Sequence, residues 1–260
     1  MKGMNYTFYQ PLIWFLLVLI ISIGCKSEPA NGLDFRIFDG TSVESLAHAV
    51  ENENTTEIVR LIKSGVPVNY QESKYGSSVL MLASIHNKKR SVKALVQNGA
   101  NPNLRDLQNL SAMHMSSGFY QCNLDQIKIM VEDGGGDIYS SIDGSSSMPD
   151  LSPLEIACSK SCRNVFHYYI DKGVKLDLSK DSKLLKLALG AEDLYFLRYL
   201  LIDKNAEVMD YVTIYQPDSP ARDTITLSES LIKDDWYKPG SNNYKYREEI
   251  LEYLKSNGLE

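Results

Sequence analysis

Four histidines and four cysteines are the side chains of this 260-residue chain best suited to act as nucleophiles, general bases or metal ligands. The histidines are spread along the chain as His48, His86, His114 and His167, so none of them forms a metal-binding pair with another. The H-E-x-x-H, G-x-S-x-G, G-x-G-x-x-G and P-loop motifs, which position catalytic or phosphate-binding groups, are absent from the sequence. We therefore predict no catalytic residue, no metal site and no cofactor.

The charge and composition exclude a second class of function. Asp and Glu outnumber Lys and Arg by 33 to 27, which gives a net charge of −6. Binding to nucleic-acid phosphates requires a surplus of basic residues, so we expect no nucleic-acid partner. The apolar fraction of 43% and the charged fraction of 23% are ordinary for a globular protein, which indicates a chain that folds around an apolar core.

The first 24 residues have the features of a secretory signal. Lys2 precedes an uncharged run, residues 11–24, which is too short to span a bilayer core of roughly 30 Å comfortably. The segment Ser22-Ile23-Gly24-Cys25 resembles a bacterial lipobox, although Ser22 replaces the usual Leu and Ile23 is bulkier than the usual residue. The alternatives are an uncleaved signal anchor and a secretory signal followed by an incidental Cys.

The lipobox resemblance implies that residues 1–24 are removed as a lipoprotein signal peptide and that Cys25 receives a diacylglyceryl group. Two acyl chains give stable membrane attachment, whereas a single chain is marginal. Residues 25–41 would then be the lipid anchor and tether, and the mature chain would carry a net charge of 26 − 33 = −7. We therefore expect a lipid-anchored protein of the bacterial cell envelope that faces the periplasm or the cell surface.

A helical pattern recurs along the rest of the chain. An amphipathic segment with apolar residues at i, i+3 and i+4 ends at Gly99, a residue that closes helices in the left-handed conformation. The pattern returns at spacings of 34, 36, 38, 32 and 53 residues, with its markers at Gly65, Gly99, Gly135, Gly173, Asn205 and Gly258. A second apolar segment precedes each of these helices, so the repeating unit is a pair of helices.

The helix starts in these units resemble the T-P-L-H-x-A motif of ankyrin repeats, and the loops after the markers resemble that family's G-A-D-P-N loop. The best matches are Ser152-Pro153-Leu154 and residues 99–103. The resemblance implies an all-α solenoid of about six helical pairs with β-hairpin-like fingers, within residues 42–260. Tetratricopeptide repeats have a similar period but lack such fingers. The implied repeats lie near residues 42–74, 75–107, 108–148, 149–179, 180–221 and 222–260.

Two further expectations are structural. His114 occupies the His position of the ankyrin-type motif, and the resemblance implies that its ring hydrogen-bonds to loop backbone rather than acting in catalysis. Residues 33–38 alternate apolar and charged side chains, which favours a short strand or a lid that covers the first repeat.

After Cys25, an odd number of cysteines remains in a chain that is predicted to be exported. Cys122 and Cys162 fall in the turns between the paired helices of adjacent repeats. We favour a Cys122–Cys162 disulfide, because the inserted segment 119–123 could bring Cys122 close to the next turn. A Cys158–Cys162 pair and free thiols are the alternatives.

Two insertions in the predicted fingers, residues 138–151 and 207–224, are the candidate recognition segments. Ankyrin-like arrays bind proteins along the fingers and first helices, and exposed aromatic side chains are frequent anchors of interfaces. The candidate partner-binding residues are Tyr139, Met148, Tyr211 and Tyr215. The alternative is that these side chains fold back over their own loops.

The sequence therefore predicts a non-enzymatic protein–protein interaction module that is anchored to the bacterial cell envelope. One alternative is an immunity lipoprotein that neutralises a cognate toxin or secreted effector. Another is a structural envelope component without a discrete ligand. An enzyme is the least favoured class, because the sequence shows no set of residues that could carry a reaction.

Overall fold

In the computed structural model, the chain is a stack of antiparallel helical pairs in which each pair contacts its neighbours. The first helix of each pair is the inner helix and the second is the outer helix. Inner helices pack on inner helices and outer helices on outer helices, most regularly over the first four pairs. The structure describes residues 32–142, 150–191, 193–208, 212–215, 222–233 and 237–259.

Six helical pairs lie in the described part of the chain. In chain order they are α1 (Glu44–Glu51) with α2 (Thr55–Lys63), α3 (Val79–Ile85) with α4 (Lys89–Val96), α5 (Ala112–Ser116) with α6 (Leu124–Glu132), α7 (Pro153–Ser159) with α8 (Arg163–Asp171), α9 (Lys183–Gly190) with α10 (Tyr195–Arg198), and α11 (Leu227–Lys233) with α12 (Asn242–Ser256). A π-helical turn, Tyr199–Asp203, extends α10. The predicted all-α helical-pair solenoid is confirmed.

Serine side chains determine where several inner helices begin. The hydroxyl groups of Ser78 and Ser152 each accept a hydrogen bond of 3.3 Å from the backbone N–H three residues further on. Glu155 completes a capping box, since its carboxylate accepts from the Ser152 N–H at 2.7 Å. Pro153 occupies the first helical turn, where its missing N–H removes no helical hydrogen bond.

The outer helices end at residues in the left-handed conformation. Gly65, Gly99 and Gly173 have φ values of 99°, 92° and 97°, which side chains with a Cβ rarely adopt. Asn205 has a φ of 54° at the corresponding place. These local conformations stop each outer helix and direct the chain into the next finger.

One continuous apolar core runs through the stack. Every residue from Val79 to Ser84 in α3 is buried, and so is every residue of α5. A helix that is buried all round needs neighbours on both sides, so an inner helix is stable only inside the array. Outer helices are amphipathic instead: in α2, Ile58 and Leu61 are buried while the opposite face is in contact with solvent.

The residues before α1 are folded, which corrects the predicted tether boundary. Phe35–Phe38 form a 3₁₀ helix that packs on α1 and leaves Phe35 only 3% exposed and Phe38 fully buried. The Asp34 carboxylate begins this helix by accepting from the Arg36 N–H at 2.9 Å. A lid over the first repeat is therefore correct, whereas a strand is wrong. Residues 34–38, which fall within the tether assigned to residues 25–41, are therefore part of the folded array.

The insertion at residues 207–224 contains a short β-hairpin. Strands β1 (Val212–Tyr215) and β2 (Arg222–Ile225) pair antiparallel, with Val212 opposite Ile225 and Tyr215 opposite Arg222. This pairing agrees with the hairpin-like fingers expected from the sequence. In the part of the chain that the structure describes, no helix combines the length and the apolar character needed to cross a bilayer.

A candidate protein-binding surface

The first fingers are joined by asparagine side chains that bridge one repeat to the next. Asn69 donates from its side-chain nitrogen to the Gly99 carbonyl at 3.0 Å and accepts from the Asn101 N–H at 2.8 Å. Asn103 makes the same pair of bonds one repeat later. It donates to the Gly135 carbonyl at 3.0 Å and accepts from the Asp137 N–H at 2.7 Å. Both bonds use otherwise unpaired loop groups, so they fix the spacing of neighbouring fingers.

A second row of hydrogen bonds runs parallel to the first. Gln71 donates to the carbonyl of Gly76 in its own finger and of Arg105 in the next finger, both at 2.6 Å. The Arg105 guanidinium repeats this arrangement with the Asn109 carbonyl at 2.7 Å and the Ser141 carbonyl at 3.1 Å. The two rows give the fingers of the first repeats a fixed geometry, which lowers the entropy that a binding surface loses when a partner docks.

His114 adds a bond from the inner helix α5 to the next finger. Its Nε2 lies 3.0 Å from the Ser140 carbonyl, which can only accept, so Nε2 carries the hydrogen. Nδ1 then accepts from Ser111, whose N–H is 3.2 Å away and whose hydroxyl is 2.7 Å away. Burial lowers the pKa of His114 to about 4, with the charge of Arg105 acting in the same direction. The ring is neutral and structural, as the ankyrin resemblance implied.

Tyr139 lies at the base of a finger rather than at its tip. It follows Gly135 by the same number of residues as Asn69 follows Gly65 and Asn103 follows Gly99, so it occupies the position of the bridging asparagines. Its hydroxyl lies 3.9 Å from the point that a Cβ on Gly173 would occupy. The Tyr139 hydroxyl therefore lies close to the next repeat, yet 62% of the residue remains exposed.

The other predicted partner-binding residues are less well placed for a test. Met148 and Tyr211 lie outside the described residues. Tyr215 belongs to strand β1, of which only the backbone pairing with Arg222 is described. Their role in binding stays a prediction.

The inserted segment between α5 and α6, residues 119–123, is fixed to three successive repeats. Its own repeat holds it through a bond of 3.2 Å from the Tyr120 N–H to the Met115 carbonyl. The preceding repeat holds it through the Gln121 side chain, which donates to the Ile85 carbonyl. The following repeat holds it through Cys122, so the segment connects three successive repeats of the stack.

Cys122 and Cys162 are joined by a disulfide, with their Cα atoms 5.3 Å apart. This is the pairing that we favoured from the sequence over a Cys158–Cys162 pair. Gly118 permits the close approach, since a Cβ at this residue would lie 2.8 Å from the Cys162 sulfur. Cys158 remains a thiol, and its burial raises its pKa to about 12, which makes it a poor nucleophile.

The finger before α5 and the inserted segment after it each expose an apolar side chain. Leu107, at the tip of the finger, is 65% exposed, and Tyr120 is 40% exposed. The ring of Phe119 lies against that of Tyr120, with centroids 5.5 Å apart. Burial and the charge of Asp106 both raise the pKa of Tyr120, so the phenol lies within electrostatic range of the finger that carries Leu107. We name Leu107, Phe119 and Tyr120 the apolar patch.

Sequence reasoning missed the apolar patch. Leu107 stands between polar residues in a turn, Asp106 to Asn109, where a leucine gains nothing by local structure. That unusual placement was the available signal. The sequence around Tyr120 gave no such signal, because the position of this residue depends on bonds that its segment makes to three repeats.

Comparisons with known proteins agree with this architecture. Residues 46–142 match a family model of ankyrin repeats in three copies. The crystal structure of the human ASB11 ankyrin repeat domain is similar, with a TM-score of 0.50 and 19% identity over 62% of this chain and 69% of that chain. Residues 46–142 are therefore similar in sequence to ankyrin repeats, and the helical-pair solenoid is similar in fold to an ankyrin repeat domain. Such repeats serve as protein-interaction scaffolds, and none of these findings points to catalysis.

Proposed function

We propose that this chain is a non-enzymatic protein-binding module, anchored to the bacterial cell envelope through lipid on Cys25, and that it binds its partner at the apolar patch. The observation that carries the proposal is the exposure of Leu107, on a finger fixed by two rows of hydrogen bonds, and of Tyr120, on the inserted segment bonded to three repeats. Large apolar side chains on a rigid support are the usual centres of protein interfaces, because little side-chain and loop entropy is lost on docking.

Two observations support an extracytoplasmic location. The apolar run before Cys25 and the small Gly24 that precedes it fit a lipoprotein signal. The Cys122–Cys162 disulfide fits an oxidising compartment such as the periplasm. Neither observation selects a membrane or a leaflet, so the proposal covers both the periplasm and the cell surface.

Site-specific photocrosslinking tests the binding surface. A photoreactive residue at position 107 or 120 should give one predominant adduct in intact cells. The same residue at Lys245, which is highly exposed on α12, is the matched control and should give none. Equal crosslinking at all three positions, or none at positions 107 and 120, would contradict the proposal.

A substitution measures how much the apolar patch contributes. Leu107→Ser should reduce recovery of the crosslinked or co-purified partner about tenfold, since removing one interface anchor costs roughly 1–2 kcal/mol. Ile232→Ser is the control, because Ile232 at the other end of the stack is 63% exposed, almost as much as Leu107 at 65%. If the two variants behave alike, the partner does not use the patch.

An immunity lipoprotein is a narrower form of this function. The mature net charge of −7 favours a basic partner, which a toxin or secreted effector with a positive surface would provide. A cell that lacks this chain should then be sensitive to the product of a neighbouring gene. Recovery of a partner without such sensitivity would favour the general binding module, and recovery of no stoichiometric partner would favour a structural envelope component.

A further inference from the structure

The outer helices of the first two pairs carry a basic surface on a chain that is acidic overall. Helix α2 and residues 88–97, which contain α4, have six Lys or Arg residues and one acid, whereas the whole chain has a net charge of −6. Five of the six basic residues are exposed and the sixth, Lys88, is partly buried. Positive charge is therefore concentrated on the outer side of one part of the stack.

Four of these six cations have no acidic partner in the part of the chain that the structure describes. Arg60 donates to Glu57 at 2.7 Å, and Lys89 pairs with Asp125 at 2.5 Å, so these two charges are balanced locally. We name the other four residues the basic face: Lys63, Lys88, Arg90 and Lys93.

Two residues of the basic face line a groove between the outer helices. Arg90 and Lys93 are three residues apart on α4, so they project from the same side of that helix. They form one wall of an open groove of about 500 Å³, and Thr56 and Val59 of α2 lie on the other wall. Glu53 is the acid beside this groove, since its carboxylate accepts from the Arg90 backbone N–H at 2.9 Å. A single nearby carboxylate leaves the surface positive.

The described part of the chain begins close to the basic face. The Leu33 carbonyl lies 2.5 Å from Nε2 of His86, which stands two residues before Lys88 in the turn between α3 and α4. Cys25, the proposed site of the lipid, precedes Leu33 by eight residues. Eight residues span at most about 29 Å when fully extended. A lipid on Cys25 would therefore hold this end of the stack near the membrane surface.

We propose that the basic face binds the anionic phospholipid surface of the membrane that holds the lipid on Cys25. The inference rests on the lipid anchor of the proposed function, and the basic face shares no residue with the apolar patch. Anionic headgroups favour each Lys or Arg near the surface by a factor of about five in partitioning. The array would then stand with the outer side of its first two pairs toward the lipid.

The net negative charge of the chain does not oppose this contact. Electrostatic interactions in solution fall off within a Debye length, which is about 8 Å at physiological ionic strength. Packed helices are about 8–10 Å apart, so the acids of pairs further along the stack are screened from a surface that α2 and α4 touch. The charges nearest the lipid decide the contact, and on this side they are mainly basic.

Energy transfer to a headgroup dye tests the contact on the full-length chain, purified with its anchor and reconstituted into vesicles. A fluorescent label is placed at Thr56→Cys in the groove, or at Ser256→Cys near the end of α12 as the control position. Only the introduced thiol should react, because Cys25 carries the lipid, Cys158 is buried and the other two cysteines form the disulfide.

Two vesicle compositions separate charge from anchoring. One is phosphatidylcholine alone, and the other is an equimolar mixture of phosphatidylcholine and phosphatidylglycerol. Transfer from the label at Thr56→Cys should rise several-fold on the anionic vesicles, whereas transfer from Ser256→Cys should stay level. About 1 M NaCl should remove the rise, because the Debye length is then about 3 Å.

Paired substitutions identify the surface. Arg90→Gln with Lys93→Gln, in the Thr56→Cys background, should abolish most of the rise on anionic vesicles. Lys175→Gln with Lys255→Gln removes the same number of charges from exposed positions elsewhere in the chain and should leave the rise intact. Equal transfer on both kinds of vesicle, or an equal loss in the two pairs of variants, would overturn the proposal.

Flotation of the same samples distinguishes this inference from the lipid anchor. A chain that floats with anionic vesicles and not with neutral ones lacks the anchor but keeps the affinity of the basic face. A chain that floats with both and shows equal transfer is anchored and contradicts the basic face, and a chain that floats with neither contradicts both. An acidic protein crosslinked at position 56 in cells, without a response to anionic lipid, would assign the face to that protein instead.

Discussion

His114 connects the start of α5 to the next finger through a neutral imidazole that is completely buried. Its Nε2–H donates to the Ser140 carbonyl and its Nδ1 accepts from Ser111, so both ring nitrogens are satisfied only while the ring is unprotonated. A proton on Nδ1 would break the contact with the Ser111 N–H and place a charge in the core. The structural role of this residue therefore depends on pH.

The depressed pKa of His114 predicts a loss of stability in acid. The unfolded chain binds a proton near pH 6.5 and the folded chain near pH 4, so the free energy of unfolding falls as the pH drops through this window. The contribution of this residue should be on the order of 3 kcal/mol. Urea unfolding between pH 7 and 4.5 should show a smaller decrease for His114→Gln than for the parent. An unchanged decrease in the variant would refute this origin.

The fingers and the segment 119–123 are the elements that depart most from a simple stack of helices. The fingers are tied side by side through Asn69, Gln71, Asn103 and Arg105. The segment 119–123 is bonded to three successive repeats. Both arrangements connect neighbouring repeats away from the apolar core, and a one-dimensional array gains cooperativity from each such connection.

Loss of the disulfide should destabilise the array. Cys122→Ser removes a cross-link between residues 40 apart in sequence, and a loop of that size corresponds to about 3–4 kcal/mol of unfolding free energy. Urea unfolding measures the difference. Dithiothreitol should lower the stability of the parent and leave that of Cys122→Ser unchanged. A parent protein that resists dithiothreitol, with free thiols at both positions by mass spectrometry, would show that the bond is not formed.

Loss of one bridging asparagine should have a smaller effect. Asn103→Ala removes two hydrogen bonds between fingers and leaves the Gly135 carbonyl without that partner, so we expect a loss of about 1–3 kcal/mol. Gln108→Ala, a change on the exposed surface of the same finger, is the control and should be nearly neutral. Equal stabilities of the two variants would indicate that the fingers are held mainly by the helices.

At the scale of the whole molecule, the two ends of the described stack differ, because a lid covers the first pair whereas the last pair exposes a large apolar side chain. Phe35 and Phe38 cover the first repeat. On the last pair, Ile232 of α11 is 63% exposed beside Leu251 and Glu252 of α12. The proposed lipid anchor precedes the lid, so the folded array would begin close to the membrane and extend away from it.

Substitution of the lipidation site tests that placement. Cys25→Ser should release the protein from the membrane fraction or leave the signal peptide uncleaved, because the diacylglyceryl group requires the Cys thiol. Fractionation, together with metabolic labelling by radioactive palmitate, distinguishes the two outcomes. A variant that remains membrane-bound at the processed size would contradict lipid anchoring at Cys25.

The sequence alone determined the helices, their ends and their number, because the signals for these features are local. Gly99 and Gly173 stop outer helices through a left-handed backbone conformation, which depends on the glycine itself and not on distant parts of the chain. Ser152 and Pro153 start an inner helix in the same local way. Repetition of these signals then implied a stack, since single pairs cannot bury their apolar faces.

Only the tertiary structure decided which side chains meet across repeats. The inserted segment brings Tyr120 within electrostatic range of Asp106, and the lid places Asp39 3.9 Å from His48. In both cases the separation of the two residues depends on how a loop or lid packs on a neighbouring element. Helical periodicity carries no information about that packing. Long-range packing also showed that Phe35–Phe38 form a lid, because the burial of Phe35 and Phe38 depends on packing against the first repeats.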